Sequence, residues 1–257
     1  MLFNIESFDI KLKTEFIGRN FIYTEEIDST NTFLLNKENK FNSNGTVLLA
    51  EKQNKGRGRN NRVWYSSKGH NLTFSILLTD KKYFDRNFNL LNFVSSLSLA
   101  TALENLFQLR IDLKWPNDIL VGGKKIAGIL LESISQGNKI KRLVIGVGVN
   151  VNQTFFQGNF NIPPTSLKVE LNESVEREKM LAEYLNSFEE TLNRLESFPD
   201  EVLRDWKSRC GLIGEKISVT DGDKIKYGIF DDIDKDGYLL LKNKGEIEKI
   251  HFGELNV

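Results

Sequence analysis

A run of six cations without an anion lies between residues 52 and 68, in a chain whose 35 basic and 35 acidic residues cancel overall. Within this run, Gly56 and Gly58 allow the backbone to approach a ligand closely. The planar guanidinium groups match phosphate or carboxylate, and they belong to Arg57, Arg59 and Arg62. We predict a loop that stays mobile until an anion binds. A solvated basic loop or an RNA-binding Gly-Arg segment fits the same residues.

A second candidate segment reads Lys114-Trp115-Pro116-Asn117-Asp118. Pro116 fixes the turn and removes one backbone donor. Asn117 and Asp118 offer the oxygen atoms that Mg²⁺ and its water shell prefer. An ordinary Pro-Asn-Asp turn is the alternative interpretation.

A third segment begins with Lys125 and continues as an apolar strand from Ile126 to Leu131. A lysine at the start of a buried strand is unusual, because burial penalises an unpaired charge. Gly128 leaves room for a ligand to lie against the strand. The alternative is a hairpin whose exposed lysines favour solubility.

Several classes of site are excluded by the sequence. The segment from Gly146 to Asn150 begins like a dinucleotide fingerprint, but Val151 occupies the third glycine position and no helix is predicted there. Neither a phosphate-binding loop ending in Gly-Lys-Ser/Thr nor a Gly-x-Ser-x-Gly elbow is present. Two histidines and the single Cys210 rule out a Cys/His zinc site and an internal disulfide.

The elements that must position these residues indicate an α+β fold. Short strands and turn pairs follow Gly214, which predicts a small all-β barrel. The length of 257 residues fits one large domain and a small one, which we place at 1–211 and 212–257. The predicted strands span residues 21–27, 46–50, 72–78, 111–115, 119–121, 125–133 and 143–151. The predicted helices span residues 30–39, 86–107, 174–196 and 199–209.

The amino terminus has no basic stretch that leads into a long apolar run, so we expect no signal peptide. No stretch approaches 18 consecutive apolar residues, so we expect no membrane span. With one cysteine in the chain, the expected compartment is the cytoplasm.

These segments occur in a fixed order that resembles the biotin–protein ligase family. The resemblance covers the chain from about Phe21 and includes residues 214–255, which are similar to that family's SH3-like barrel. It rests on five motifs, which are Ser29-Thr30-Asn31, Gly-Arg-Gly-Arg at 56–59, Lys-Trp-Pro-Asn-Asp at 114–118, Lys-Ile-Ala-Gly-Ile-Leu at 125–130, and Gly-Val-Gly-Val-Asn at 146–150.

The resemblance implies a mixed β-sheet flanked by helices, of the class II synthetase-like kind shared with lipoate ligases. It implies synthesis of biotinyl-5′-AMP from biotin and ATP, with Mg²⁺, followed by transfer of biotin to a lysine of a biotin carboxyl carrier protein. The implied biotin-binding residues are Ser29, Thr30, Asn31, Gln53, Gly56, Arg57, Gly58, Arg59, Lys125 and Gly128. The implied ATP-binding residues are Arg62, Trp64, Lys114, Asn117 and Asn150. The implied catalytic residues are Lys125, Arg59 and Asp118, and Asp118 is also the implied Mg²⁺ ligand.

Further expectations concern partners and alternatives. Only 28 residues precede Ser29, without a second amphipathic helix or a basic cluster, so we expect no DNA-binding repressor domain. We expect no membrane partner, and a homodimer is possible. Asn61 occupies a position where many relatives carry glycine, and we expect it to tolerate the loop's shape because asparagine accepts positive φ. The alternatives are a lipoate or octanoate ligase of the same superfamily and a non-catalytic biotin sensor or nucleic-acid-binding module.

Overall fold

Two β-sheets and several helices build the molecule. The computed structural model describes residues 2–38, 40–85, 88–137 and 139–256, apart from the side chain of Asn61. The first sheet contains β1 (Phe21–Ile27), β2 (Val47–Gln53), β3 (Leu72–Leu78), β4 (Asp112–Lys114), β5 (Asp118–Val121), β6 (Lys124–Gln136) and β7 (Lys139–Val149). The helices of the described residues are α1 (Ile5–Lys11), α2 (Thr30–Leu35), α3 (Leu90–Phe107), α4 (Leu167–Leu171), α5 (Arg177–Ser197) and α6 (Pro199–Lys207).

The first sheet is mixed and has the strand order β1-β2-β3-β7-β6-β5-β4. β1 and β2 run parallel, and the other neighbours pair antiparallel. Alternation along β6 and β7 gives the sheet two different faces. One face carries Ala127, Ile129 and Val147 into the main core. The opposite face carries small residues and faces α2, which leaves space for a ligand.

The second sheet is a five-stranded antiparallel unit in the order β11-β10-β9-β8-β12. Its strands are β8 (Lys216–Asp221), β9 (Lys224–Ile233), β10 (Leu239–Asn243), β11 (Glu246–Ile250) and β12 (Glu254–Asn256). Phe230, Leu239 and Leu241 are buried inside it. The predicted α+β fold with a small C-terminal β domain is therefore confirmed.

The N-terminal segment contains a helix that the sequence interpretation missed. α1 is seven residues long, is capped by Asn4, and packs against α5. The backbone N–H of Phe3 donates to Glu51 Oε1 at 2.8 Å. Glu51 also pairs with Arg177 at 2.6 Å, and both side chains are at most 5% exposed. This buried ion pair fastens the first residues to the sheet.

Several element boundaries differ from the predictions. β2 continues to Gln53, which therefore lies at the end of a strand and not in the loop. α2 ends at Leu35 and α3 begins at Leu90, while the predicted boundaries at Asn39 and Arg86 lie outside the described residues. α5 begins at Arg177, three residues later than predicted.

α3 is long and apolar enough to cross a membrane by length and composition, but 67% of it is buried inside the protein. It packs against α5 and α6, as the core helix of a globular domain does. The edge-to-face contact of Phe93 with Trp206, at 4.5 Å between ring centroids, belongs to this packing.

Candidate functional site

The candidate site is a cavity of about 730 Å³ on the face of the first sheet that carries the small residues. The basic loop, residues 153–164 and strand β12 of the second sheet surround it. All predicted site residues except Gly56 line this cavity, so the structure brings the dispersed motifs together. Gly56 lies within the loop and faces the backbone of Trp64, where an added Cβ would come within 2.4 Å of the Trp64 carbonyl oxygen.

One end of the cavity has a neutral hydrogen-bonding wall formed by the first turn of α2. Ser29 caps this helix by accepting from the backbone N–H of Thr32 at 3.3 Å. Thr30 donates its backbone N–H to Gln53 Oε1 at 2.7 Å, which fixes the orientation of the Gln53 amide. Ser29, Thr30 and Asn31 are each at most 5% exposed.

A chain of four oxygen atoms crosses this wall. Ser75 Oγ lies 2.6 Å from both Asn31 Oδ1 and Thr30 Oγ1. Thr30 Oγ1 lies 3.0 Å from Gln53 Oε1. The two hydroxyl groups supply two protons for three oxygen–oxygen contacts, because an amide oxygen only accepts. The wall therefore has an excess of acceptors and suits a ligand that brings N–H groups.

Glycines of β7 form the floor beneath that wall. A Cβ on Gly146 would lie 2.3 Å from Asn31 Oδ1. A Cβ on Gly148 would lie 2.3 Å from the Trp64 ring. The two glycines, which fail as a dinucleotide fingerprint, are required instead by the close approach of Asn31 and Trp64 to the sheet.

The other end of the cavity is cationic. Lys125 Nζ donates to Asp118 Oδ1 at 2.5 Å, and the two side chains are 28% and 19% exposed. Lys114 has no hydrogen bond or ion pair from its ammonium group to any other residue that the structure describes. Burial lowers the pKa of Lys114, because desolvation penalises its charge. An anion bound here would stabilise the charged form of Lys114 and offset the cost of its desolvation.

Arg59 and Arg62 connect the basic loop to the rest of the site. Arg59 donates to Asn117 Oδ1 at 3.3 Å and to the Gly253 carbonyl oxygen at 3.1 Å. Burial lowers the pKa of the Arg59 guanidinium. Arg62 pairs with Glu254 of β12. The Gly253 carbonyl and the Glu254 carboxylate therefore hold the loop directly, although they lie about 190 residues further along the chain.

The loop itself contains a single 3₁₀ turn at Arg59–Asn61. The left-handed residue is Asn60, with φ 53°, and its side chain donates to Glu254 Oε1 at 3.2 Å. We expected Asn61 to tolerate a positive φ, but the preceding residue, Asn60, is the one that adopts it. The side chain of Asn61 lies outside the described residues.

Trp64, one of the implied ATP-binding residues, lies on the floor of the cavity. Its ring contacts Gly148, and Lys125 Nζ lies 5.9 Å from the ring centroid. Its indole Nε1 is buried and has no hydrogen-bond partner among the described residues.

Residues 153–164 form a second flank that the sequence interpretation did not identify. The backbone of Lys125 donates to Pro163 at 2.8 Å and accepts from Thr165 at 2.9 Å. Asn150, which is 4% exposed, donates its side-chain amide to the Thr165 carbonyl oxygen at 3.0 Å. Its amide nitrogen therefore anchors this flank beside the cavity. Phe156 and Phe160 of the segment line the cavity.

Three further site residues escaped the sequence interpretation. Ser75 lies in the buried strand Leu72–Leu78, and Glu254 lies in the other domain. Glu132 accepts from Asn31 Nδ2 at 2.7 Å and from Arg57 Nη2 at 3.0 Å. Its position on the same strand face as Gly128 was the available signal. Arg57 therefore has protein partners, where the prediction directed it toward a ligand carboxylate.

Comparisons with known proteins agree with this geometry. Residues 23–150 match the Biotin/lipoate A/B protein ligase family, and residues 212–255 match the Biotin protein ligase C terminal domain. The chain is 31% identical over 251 residues to the bifunctional ligase/repressor BirA of Bacillus spizizenii, covering 96% of this chain and 76% of that protein. It is 32% identical over 206 residues to the biotin–[acetyl-CoA-carboxylase] ligase of Paracoccus denitrificans, covering 78% and 85% respectively.

A solved structure has the same fold over most of the chain. Biotin protein ligase from Aquifex aeolicus in complex with biotin and ATP superposes with a TM-score of 0.80 and 32% identity. The match covers 93% of this chain and 98% of that one. The resemblance inferred from the five motifs is confirmed, and the chain belongs to the biotin protein ligase family.

Proposed function

We propose that this enzyme joins biotin to ATP, forming biotinyl-5′-AMP and pyrophosphate, and then transfers biotin to one lysine of a biotin carboxyl carrier protein. One observation carries the proposal, which is that a single cavity has a neutral, acceptor-rich wall at one end and a cationic cluster at the other. The ureido ring of biotin offers two N–H groups to the wall formed by Asn31, Ser75, Thr30 and Gln53. Its carboxylate extends toward Lys125.

The cationic end suits the first reaction. A biotin carboxylate oxygen forms a bond to the α-phosphorus, and the bond to the bridging oxygen breaks, so that pyrophosphate leaves. Both reacting groups are negative, and preorganised cations stabilise the charge that develops. Asp118 fixes the position of the Lys125 ammonium at 2.5 Å, between the strand that carries Gly128 and the turn that follows Trp115. Lys114 and Arg59 face the nucleotide.

The second reaction replaces AMP by the carrier lysine. The neutral amine attacks the biotinyl carbonyl carbon, and the bond to the phosphate oxygen breaks. Asp118 orients or accepts the proton that the lysine loses, and Lys125 stabilises the leaving phosphate. The loop excludes water from the mixed anhydride between the two steps.

The residues present also fit Mg²⁺ bound together with the nucleotide. The described residues contain no group of three His, Cys, Asp or Glu side chains that could hold a metal ion alone. Mg²⁺ commonly uses one or two carboxylates and completes its coordination with substrate phosphates and water. Asp118 would supply the carboxylate, and the ion would neutralise charge on the phosphates.

The lipoate and octanoate alternatives leave the polar wall without a partner. A dithiolane ring or an alkyl chain has no N–H donor, so it would not use the remaining acceptor capacity of the wall. A non-catalytic sensor has no use for the Lys125–Asp118 pair. Pyrophosphate release with Mg-ATP tests the choice, with biotin and lipoate compared at equal concentration. Release with lipoate and none with biotin would overturn the proposal.

The proposal includes a cytoplasmic enzyme that acts without binding operator DNA. A specific gel shift with operator DNA would contradict it. The two-domain division at residue 211 and a homodimer stay predictions, and sedimentation of the full chain measures the latter.

A further inference from the structure

Glu132 is a charged residue in contact with the cavity lining, and the proposed reaction gives it no role. It lies on β6 opposite Val144 of β7, on the face that carries Gly128 and Gly146. Its Oε1 accepts from Arg57 Nη2 at 3.0 Å, and its Oε2 accepts from Arg57 Nη2 at 3.1 Å and from Asn31 Nδ2 at 2.7 Å. One carboxylate thus contacts both the basic loop and the neutral wall.

The contact with Asn31 determines which way the Asn31 amide points. A carboxylate only accepts hydrogen bonds, so the NH₂ group must face Glu132. The second N–H of the amide donates to the Leu130 carbonyl oxygen at 3.2 Å. Both donors are therefore occupied, and Oδ1 faces Ser75 and the cavity as an acceptor. Glu132 thereby sets the polarity that a ligand N–H meets.

The contact with Arg57 fastens the loop at one point. Arg57 Nη1 also donates to Thr32 Oγ1 at 2.8 Å, so the guanidinium spans Glu132 and α2. The Arg57 side chain is 40% exposed and that of Glu132 is 27% exposed, which makes the pair accessible to water and weak as a contribution to global stability. Its effect is local, because it decides whether the loop lies over the cavity.

We propose that Glu132 is a positioning residue that couples ligand recognition at Asn31 to closure of the loop through Arg57. The inference rests on the proposed function for the identity of the ligand. The Glu132 carboxylate holds the loop through Arg57 and orients the Asn31 amide, so the two contacts form together. Loss of its charge removes both at once.

Glu132→Gln tests the coupling with two readouts. The amide places a donor against Arg57 or Asn31, so the KM for biotin should rise about tenfold, the effect of one charge-assisted hydrogen bond. The kcat of adenylation and the KM for ATP should change less than about threefold, because the cationic end is untouched. Trypsin should cleave after Arg59 or Arg62 several times faster when no substrate is present, and mass spectrometry of the products measures this rate.

Two variants complete the design. Arg57→Met removes the contacts of the loop with Glu132 and Thr32 but leaves the contact between Glu132 and Asn31. It should therefore accelerate cleavage as much as Glu132→Gln does while raising the KM for biotin less. In the double variant the cleavage rate should equal that of either single variant. Glu248→Gln breaks a comparable pair with Lys226, at 2.6 Å in the second sheet, and should change neither readout.

An unchanged KM for biotin in Glu132→Gln, or equal KM values in Glu132→Gln and Arg57→Met, would overturn the coupling. An unchanged cleavage rate in both single variants would overturn the role of the pair in closing the loop. If Glu132→Gln fails to fold, Arg57→Met still tests the loop contact. Cleavage is measured without substrate, so its outcome stays interpretable even if the ligand is not biotin.

Discussion

Gly146→Ala should selectively damage recognition at the neutral end of the cavity. The added Cβ would lie 2.3 Å from Asn31 Oδ1, where ordinary contacts begin near 3.4 Å. The amide must therefore retreat by about 1.1 Å, the difference between these distances. Its 2.6 Å contact with Ser75 would then exceed hydrogen-bonding distance.

The cost to the ligand follows from the acceptor that is displaced. A biotin N–H that loses Asn31 Oδ1 inside a closed cavity leaves one donor unsatisfied, which costs about 1–3 kcal/mol. Taking about 2 kcal/mol, kcat/KM for biotin should fall roughly 30-fold. The KM for ATP should stay within about twofold, because the nucleotide lies at the cationic end.

Pyrophosphate release measured against the concentration of each substrate decides the matter. Gly211→Ala is the matched control, because Gly211 has no positive φ and its added Cβ would find only Asp112 Oδ1, at 3.9 Å. Thermal unfolding of both variants separates a binding defect from a folding defect. A Gly146→Ala enzyme with normal kinetics for biotin, or with a defect in ATP alone, would refute the assignment of this end.

Other perturbations have equally definite outcomes. Lys125→Gln should lower the kcat of adenylation about 10²-fold or more in single-turnover assays, whereas Lys124→Gln, whose wild-type ammonium pairs with Glu170 instead, should not. Burial alone would raise the pKa of Glu51, but Arg177 lowers it below the ordinary 4.5. The contribution of this ion pair to stability is therefore full above pH 4.5 and is lost as the pH falls through the lowered pKa. Urea unfolding between pH 3 and 7 measures the loss. Arg177→Met should destabilise the protein by about 3–5 kcal/mol even at neutral pH, by leaving a buried carboxylate unpaired. Biotin with Mg-ATP should slow trypsin cleavage between residues 55 and 62, and unchanged cleavage would count against loop closure.

Local patterns in the sequence predicted the fold class, and the motifs that carry the resemblance supplied site residues of which all but Gly56 line the cavity. The apolar run from Ile126 to Leu131 placed Gly128 within a predicted strand, and Ser29 has the side chain of a helix cap. Each of these inferences uses residues within a few positions of one another. The order of motifs then supplied the resemblance that connected them.

The missed residues depend on contacts that local patterns cannot encode. Asn31 and Glu132 lie 101 positions apart, and only the folded sheet places one against the other. Ser75 and Thr73 are the two hydroxyl residues of the buried strand Leu72–Leu78, and nothing in that short pattern shows that Ser75 would contact Asn31 and Thr30. The placement of Glu254 requires the two domains to be docked. Helix α1 is short and depends on packing against α5, which overrides a weak local signal.

The charge of the loop acquires a different meaning from its surroundings. The sequence predicts a cationic segment that waits for an anion, yet in the structure each of its six cations has an oxygen partner within 4 Å. These partners are Glu26 for Lys52, Asp28 for Lys55, Glu132 for Arg57, Asn117 for Arg59, Glu254 for Arg62 and Glu25 for Lys68.

Pairing changes how an anion is selected. A nucleotide phosphate that recruits Arg62 must compete with Glu254, so its net gain is smaller than the charge of the loop suggests. Among the cations of the described cavity lining, Lys114 is the one whose ammonium group makes no hydrogen bond or ion pair, and burial lowers its pKa. An anion gains most where a desolvated cation lacks a partner. Lys114 should therefore contribute more to ATP affinity than Arg62 does. The KM for ATP of Lys114→Met, compared with that of Arg62→Met, measures this order. A larger effect at Arg62 would show that the exposed loop, and not the buried end of the cavity, selects the nucleotide.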